Sequence, residues 1–184
     1  MKPLGIIVNP KANRGGAAII GGQVFEAFAK AGIAVINLSA GTALEAKKKA
    51  EELIRLQEIS ALVAVGGDGT TQLCAGIAIP NQIPLGIIPA GSGNDQAREL
   101  KIDLTNIPAA VKNIVDSLGS PKRVDAMKVS VSGKEIWSMG SISGGFDALC
   151  ATRANSLRWP KGPNSYIAAL LLELPSFNAI EYHL

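Results

Sequence analysis

Ala61-Leu62-Val63-Ala64-Val65-Gly66-Gly67-Asp68-Gly69-Thr70 is the stretch on which the fold turns. Its first five residues are apolar without a break and offer no polar face. A strand of this kind is covered on both sides, as in a parallel sheet lying between layers of helices. The run ends in two glycines, and helical residues resume from about Thr71. A strand that passes through glycines into a helix is one unit of a βα repeat.

The same unit recurs on either side. Upstream, Leu4 to Val8 is a short apolar strand closed by Asn9-Pro10, and helical spacing follows from Ala17 to Ala31. Ile33 to Leu38 reads as a strand. Thr42-Ala43-Leu44-Glu45 has the form of a capping box, with Thr42 as N-cap of a helix running to about Glu58. Downstream, Leu85 to Ile88 is a strand, and Asn94 to Leu100 and Ile107 to Leu118 are helices. The expected fold class is α/β, an open parallel sheet flanked by helices, with right-handed crossovers. The pattern changes near Lys122. Val124 to Val131 and Glu135 to Ile142 alternate around Ser132-Gly133-Lys134, which predicts an antiparallel hairpin. A helix from Phe146 to Trp159, a break at Pro160 to Pro163 and an apolar helix from Ser165 to Leu174 follow. Ile180 to Leu184 reads as a strand barely begun. The expected organisation is an α/β domain over 1–122 and an incomplete β-rich portion over 123–184.

Composition narrows the classes. Of 184 residues 47% are hydrophobic but only 4% aromatic, so small aliphatic side chains fill the core. A net charge of +3 is too small to argue for nucleic acid. His183 is the only histidine, which excludes a multi-histidine metal site. Cys74 and Cys150 form no CxxC pair, so free thiols in a reduced, cytoplasmic setting are expected. No apolar run reaches the roughly 18 residues of a membrane span, so membrane contact is expected to be peripheral.

Three loops follow strands and carry glycines: Asn9-Pro10-Lys11-Ala12-Asn13-Arg14-Gly15-Gly16, Gly66-Gly67-Asp68-Gly69-Thr70, and Pro89-Ala90-Gly91-Ser92-Gly93-Asn94-Asp95. In a parallel sheet all three lie at the carboxyl edge, where open α/β folds bind ligands. Glycines admit positive φ and let backbone N–H groups approach an anion. Helices starting there turn their positive ends to the same place. A polyphosphate is the expected guest. The P-loop pattern is absent, and Gly91-Ser92-Gly93 lacks the third glycine and the later acid of a dinucleotide fingerprint. Asp68 and Asp95 stand beside the glycines, where a few carboxylates suit Mg²⁺ bound to phosphates. The plainer alternatives make Asp68 an exposed turn residue and Asp95 a helix cap.

At these loops the sequence resembles the catalytic domain of diacylglycerol kinases. That superfamily also holds sphingosine and ceramide kinases and, more remotely, NAD kinase and phosphofructokinase. The GGDGT string is shared by the wider group. Val8-Asn9-Pro10, similar to the NPxxG motif, and Gly91-Ser92-Gly93-Asn94-Asp95, similar to GTxND, narrow the resemblance to the lipid kinases, and further on Gly145-Phe146-Asp147-Ala148 resembles the family's GFDA segment. The resemblance implies that Asn9, Pro10, Lys11, Ala12, Asn13, Thr42, Gly66, Gly67, Asp68, Gly69, Thr70, Thr71, Gln72 and Ser92 line an ATP site. It implies that Asp68, Asp95 and Asp125 hold Mg²⁺, partly through water. Two positions depart from the family. Ser92 replaces the commoner threonine but keeps a hydroxyl, and Leu73 stands where many members carry glutamate.

The resemblance implies an ATP-dependent lipid kinase of phospholipid metabolism, with diacylglycerol as the foremost acceptor. Such an enzyme would meet its lipid at the inner face of the membrane; homodimerisation is open. The acids that deprotonate the acceptor are expected beyond Leu184, which would leave this chain incomplete for catalysis. Arg153, Arg158, Trp159 and Lys161 form a basic and aromatic group of a kind that suits a membrane interface, but a solvated helix end is the preferred reading. The alternatives are an NAD kinase-like or a sphingosine or ceramide kinase-like phosphotransferase, and a nucleotide-binding module without catalysis.

Overall fold

A computed structural model describes residues 2–131, 133–160 and 163–178. Two compact units divide the chain, residues 1–140 and 141–184. The first is built on four parallel strands: β1 (Leu4–Val8), β2 (Val35–Asn37), β3 (Ala61–Gly66) and β4 (Leu85–Pro89), in the order β2-β1-β3-β4. The unbroken apolar run of β3 has its expected consequence, since all six of its residues are buried. β2 is shorter than its sequence suggests. It is an edge strand and pairs with β1 at only three positions.

Alternation along the strands sorts the helices into two layers. Leu4 and Ile6 of β1 and Val63 and Val65 of β3 face one side, where α1 (Gly16–Lys30) and α5 (Ile107–Ser117) supply Val24, Phe28, Val111 and Ile114. Ile7, Leu62 and Ala64 face the other, against α2 (Ala43–Arg55) and α3 (Asp68–Ala78), which supply Ala46, Ala50, Cys74 and Ile77. The chain thus leaves β1 toward one layer and leaves the adjacent β3 toward the other. Neighbouring loops that diverge in this way open a crevice at the carboxyl edge.

α3 begins at Asp68, three residues before the sequence suggests, because the Gly67 carbonyl accepts from the Thr70 and Thr71 N–H groups at 2.9 and 3.0 Å. Low glycine propensity masks that first turn in the sequence. The hairpin is present but short: β5 (Met127–Val131) pairs with β6 (Lys134–Ser138) over five positions, and Gly133 turns at φ +74. It packs on α3, where Gln72 Nε2 donates to the Trp137 carbonyl. α4 (Asp95–Glu99) is a short helix between β4 and α5.

The second unit contains α6 (Gly145–Ser156) and α7 (Pro163–Glu173). Phe146 meets Phe177 edge-on at 4.8 Å, and Cys150 and Ala169 are the described residues buried there. Ile180 to Leu184, expected as a strand, lie outside the described residues.

Candidate nucleotide site

The loops after β1, β3 and β4 converge on the carboxyl edge. Asn9 ends β1. Its N–H donates to the Val65 carbonyl at 3.0 Å, and its Oδ1 accepts from the Lys11 N–H at 3.1 Å. That side-chain turn leaves Asn9, Pro10 and Lys11 exposed, with Ala12 half-buried at the start of a single 3₁₀ turn. The side chains of Asn13 and Arg14 lie outside the described residues. Gly15 follows at φ +97 and leads into α1.

The loops after β3 and β4 are built as one piece. The Ala90 N–H donates to the Gly66 carbonyl at 2.8 Å. Beyond it the two backbones touch: a Cβ on Gly91 would stand 2.3 Å from the Gly67 Cα, and one on Gly67 would stand 3.1 Å from the Gly91 Cα. Gly67 itself has φ −94, which any residue adopts. Glycine is required there by close approach rather than by positive φ. The left-handed residue of these two loops is Asn94, at φ +63.

Asp68 spans the joint. Its Oδ2 accepts from the Asn94 N–H at 2.8 Å and its Oδ1 from the Gln96 N–H at 3.1 Å. The carboxylate of one loop therefore caps the helix that begins in the other. Asp68 is half-buried and structurally engaged, unlike the exposed turn residue that sequence alone allows. A Cβ on Gly93 would come within 2.7 Å of Asp68 Oδ2, so that glycine too makes room for the joint. Asn94, not Asp95, stands at the N-cap of α4. Asp95 is the first helical residue; its side chain is 83% exposed and pairs with Arg98 at 2.7 Å.

The other expected residues divide. Ser92 and Gly69 are exposed beside the joint, and a Cβ on Gly69 would meet only open space. Thr70 and Thr71 are 6% and 3% exposed; Thr70 packs on Gly66, and the Thr71 hydroxyl donates to the Gly67 carbonyl at 3.3 Å. Thr42 completes the capping box, its hydroxyl accepting from the Glu45 N–H. Asp125 is exposed in the segment before β5. Among the described residues no three of Asp, Glu, His and Cys gather closely enough to hold a metal, so Asp68, Asp95 and Asp125 form no carboxylate cage. Leu73 packs at the margin of the core, which accounts for an apolar residue there.

Open hydrogen-bonding capacity remains around the joint. No side chain caps α3, whose first turn carries the Asp68 and Gly69 amides. Among the described residues the Ser92 and Gly93 amides have no protein acceptor. Gln72 Oε1, one turn along α3 from Asp68, and Gln96 Oε1 are buried without a partner among the described residues. Sequence reading placed Gly91, Gly93 and Asn94 in the third glycine loop without assigning them separate roles, and it did not single out Gln96. The available signal was an asparagine directly after a glycine, a residue that tolerates the left-handed region.

Comparison with known proteins agrees with this architecture. A crystal structure of a diacylglycerol kinase from Bacillus anthracis str. Sterne superimposes with a TM-score of 0.55 at 28% identity, covering 73% of this chain and 47% of that one. A diacylglycerol kinase of Mycobacterium tuberculosis is 31% identical over 179 residues, 97% of this chain and 57% of the relative. One of Bacillus subtilis is 33% identical over 123 residues, 66% of this chain and 40% of the relative. Residues 3–129 match the diacylglycerol kinase catalytic domain, and the chain belongs to that family. It spans a little over half the length of its Mycobacterium tuberculosis relative.

Proposed function

We propose that the joined loops after β3 and β4, with the Asn9 loop beside them, bind the phosphates of ATP for transfer to a lipid hydroxyl, foremost that of diacylglycerol. The observation that carries this reading is the interlocked pair of loops in which the amides of Asp68, Gly69, Ser92 and Gly93 have no cap or protein acceptor among the described residues. Backbone N–H groups at a helix N-terminus favour an anion. Gly69 adds room, since a Cβ there would meet nothing within 4 Å. Ser92 offers a hydroxyl and Lys11 a cation at the same edge.

The residues present fit a hydrated Mg²⁺. An ionised carboxylate has about four lone-pair sites, and Asp68 uses two of them on backbone N–H groups. Two acceptors therefore remain. Mg²⁺ is commonly held by one or two carboxylates with water and phosphate, so the lack of a carboxylate cage is no obstacle. Asp95 and Asp125 are proposed as outer contacts through water. When bound, the ion would offset phosphate charge during transfer. The chain's own part is to orient the phosphates by backbone amides and to hold the two loops in fixed register. The hairpin from about residue 122 is proposed as the start of an acceptor-binding portion, working at the inner face of the membrane.

Calorimetric titration of the chain with ATP and Mg²⁺ tests the nucleotide reading, and no heat at millimolar ATP would refute it. Labelled ATP offered with a lipid panel and NAD tests the acceptor: phosphorylation of a lipid supports the proposal, and phosphorylation of NAD alone overturns it.

A further inference from the structure

Asn94 occupies an unusual position. It is the residue before α4, its backbone is left-handed at φ +63, and its side chain does not cap the helix it precedes. The side chain turns back instead. Oδ1 accepts from the Gly91 N–H at 2.9 Å, and Nδ2 donates to the Gly91 carbonyl at 2.9 Å. One amide thus takes both polar groups of one residue, in the manner of a strand partner. The Asn94 backbone N–H meanwhile goes to Asp68 of the other loop. Gly91 lies against Gly67, with so little space that a Cβ there would also strike Asn94 Oδ1 at 2.9 Å. Ser92 and Gly93, whose amides have no protein acceptor among the described residues, are the two residues enclosed between Gly91 and Asn94.

We propose that Asn94 is a positioning residue of the nucleotide site: it clamps Gly91 through both hydrogen bonds and thereby fixes the direction of the Ser92 and Gly93 amides. This rests on the nucleotide reading above. The Gly91 N–H is consumed by the clamp, so that amide is not one of the phosphate donors. Asparagine suits the place for two reasons. Its amide carries a donor and an acceptor on one short stem, and it enters the left-handed region at less strain than most residues. Aspartate would keep the acceptor and lose the donor. Glycine would keep the backbone conformation and lose both bonds.

The test uses Asn94→Gly and Asn94→Asp in the whole 184-residue chain. ATP affinity is measured with Mg²⁺ by calorimetry well below the melting point of each variant. The loop amides are followed by nuclear magnetic resonance during the titration. Two hydrogen bonds of ordinary net strength correspond to roughly tenfold weaker ATP binding in Asn94→Gly, with Asn94→Asp between it and the parent. In the parent, the Ser92 and Gly93 amide signals should shift on ATP addition; in Asn94→Gly they should be broadened before ATP is added. A purely structural role would lower the melting temperature and leave affinity and amide signals unchanged below it, and that result overturns the inference. Should Asn94→Gly not fold, Asn94→Asp decides: parental affinity refutes the clamp. A parent that binds no ATP refutes the nucleotide reading and this inference with it, whereas a binding parent with equally tight variants refutes this inference alone.

Discussion

Gly69 separates a ligand requirement from a structural one. Gly67, Gly91 and Gly93 are all explained by protein contacts, so substituting them would disturb the joint whether or not phosphate binds. Gly69 meets nothing and lies in the first turn of α3 with no left-handed backbone. Gly69→Ala should therefore raise stability by roughly 0.5 kcal/mol through helix propensity. It should also weaken ATP binding, because the methyl would stand beside the open amides. Urea unfolding and calorimetry on the same variant give the two signs; tighter or unchanged ATP binding would remove Gly69 from the site. Asp68→Asn tests the joint itself. The amide can accept one of the two backbone N–H groups but presents a donor to the other, so a loss of about 1–2 kcal/mol is expected from the broken cap and the orphaned N–H. An unchanged urea midpoint would contradict the capping role. Cys74 is fully buried, and burial pushes its thiol up to about 12 from 9.0. The folded state then keeps its proton where the unfolded chain has lost it. Stability should be independent of this group below pH 9 and fall between pH 9 and about 12. Chemical unfolding of Cys74→Ala against the parent across that window isolates the contribution, and equal slopes would count against it.

At the scale of elements, the site is held by helix ends treated in opposite ways. α2 is closed by a complete capping box, and α5 by Asn106, whose side chain accepts from the Ala109 N–H. α3 has no side-chain cap, and α4 borrows one from Asp68. The sheet order accounts for the placement, since β1 and β3 are neighbours that send their helices to opposite layers. Thr42 belongs to a fully satisfied cap, and that predicts its energetic role. Thr42→Ala should destabilise the fold by about 1 kcal/mol, with Thr42→Ser recovering most of it. Equal denaturation midpoints for all three proteins would show the box to be energetically silent.

At the scale of the molecule, the two units differ in how much they bury. The first surrounds its sheet on both faces. In the second, Ile167, Leu171, Leu172 and Leu174 of the α7 region are exposed, and Trp159 is 84% exposed. Arg153 is paired with Glu173 rather than held free beside Trp159. Lys161, the last member of that basic group, lies outside the described residues. At the start of the second unit, residues 141–144 are exposed and belong to no helix or strand. Limited proteolysis should cut there first and release a fragment ending near residue 140, identifiable by its mass. Initial cleavage inside residues 1–140 would argue against that unit as the more stable body.

Periodicity and capping are local properties, and they carried the parallel sheet, its alternation with helices, the Thr42 cap and the glycine loops at one edge. An apolar run such as Ala61 to Val65 has few ways to be buried, so its environment is legible from its residues. The resemblance of the loops to a family was legible for the same reason, as short strings in fixed order. The joint between Gly67 and Gly91, the Asp68 cap on α4 and the Asn94 clamp were not legible. The first two link residues of two separate loops arriving at one place, Asp68 and Gln96 being 28 positions apart, and the clamp, though it spans three residues, depends on a side-chain direction that the residue types do not fix. Sequence shows that a glycine is there. Only the packed structure shows whether the missing Cβ makes room for a second backbone, as at Gly67, or leaves open space, as at Gly69.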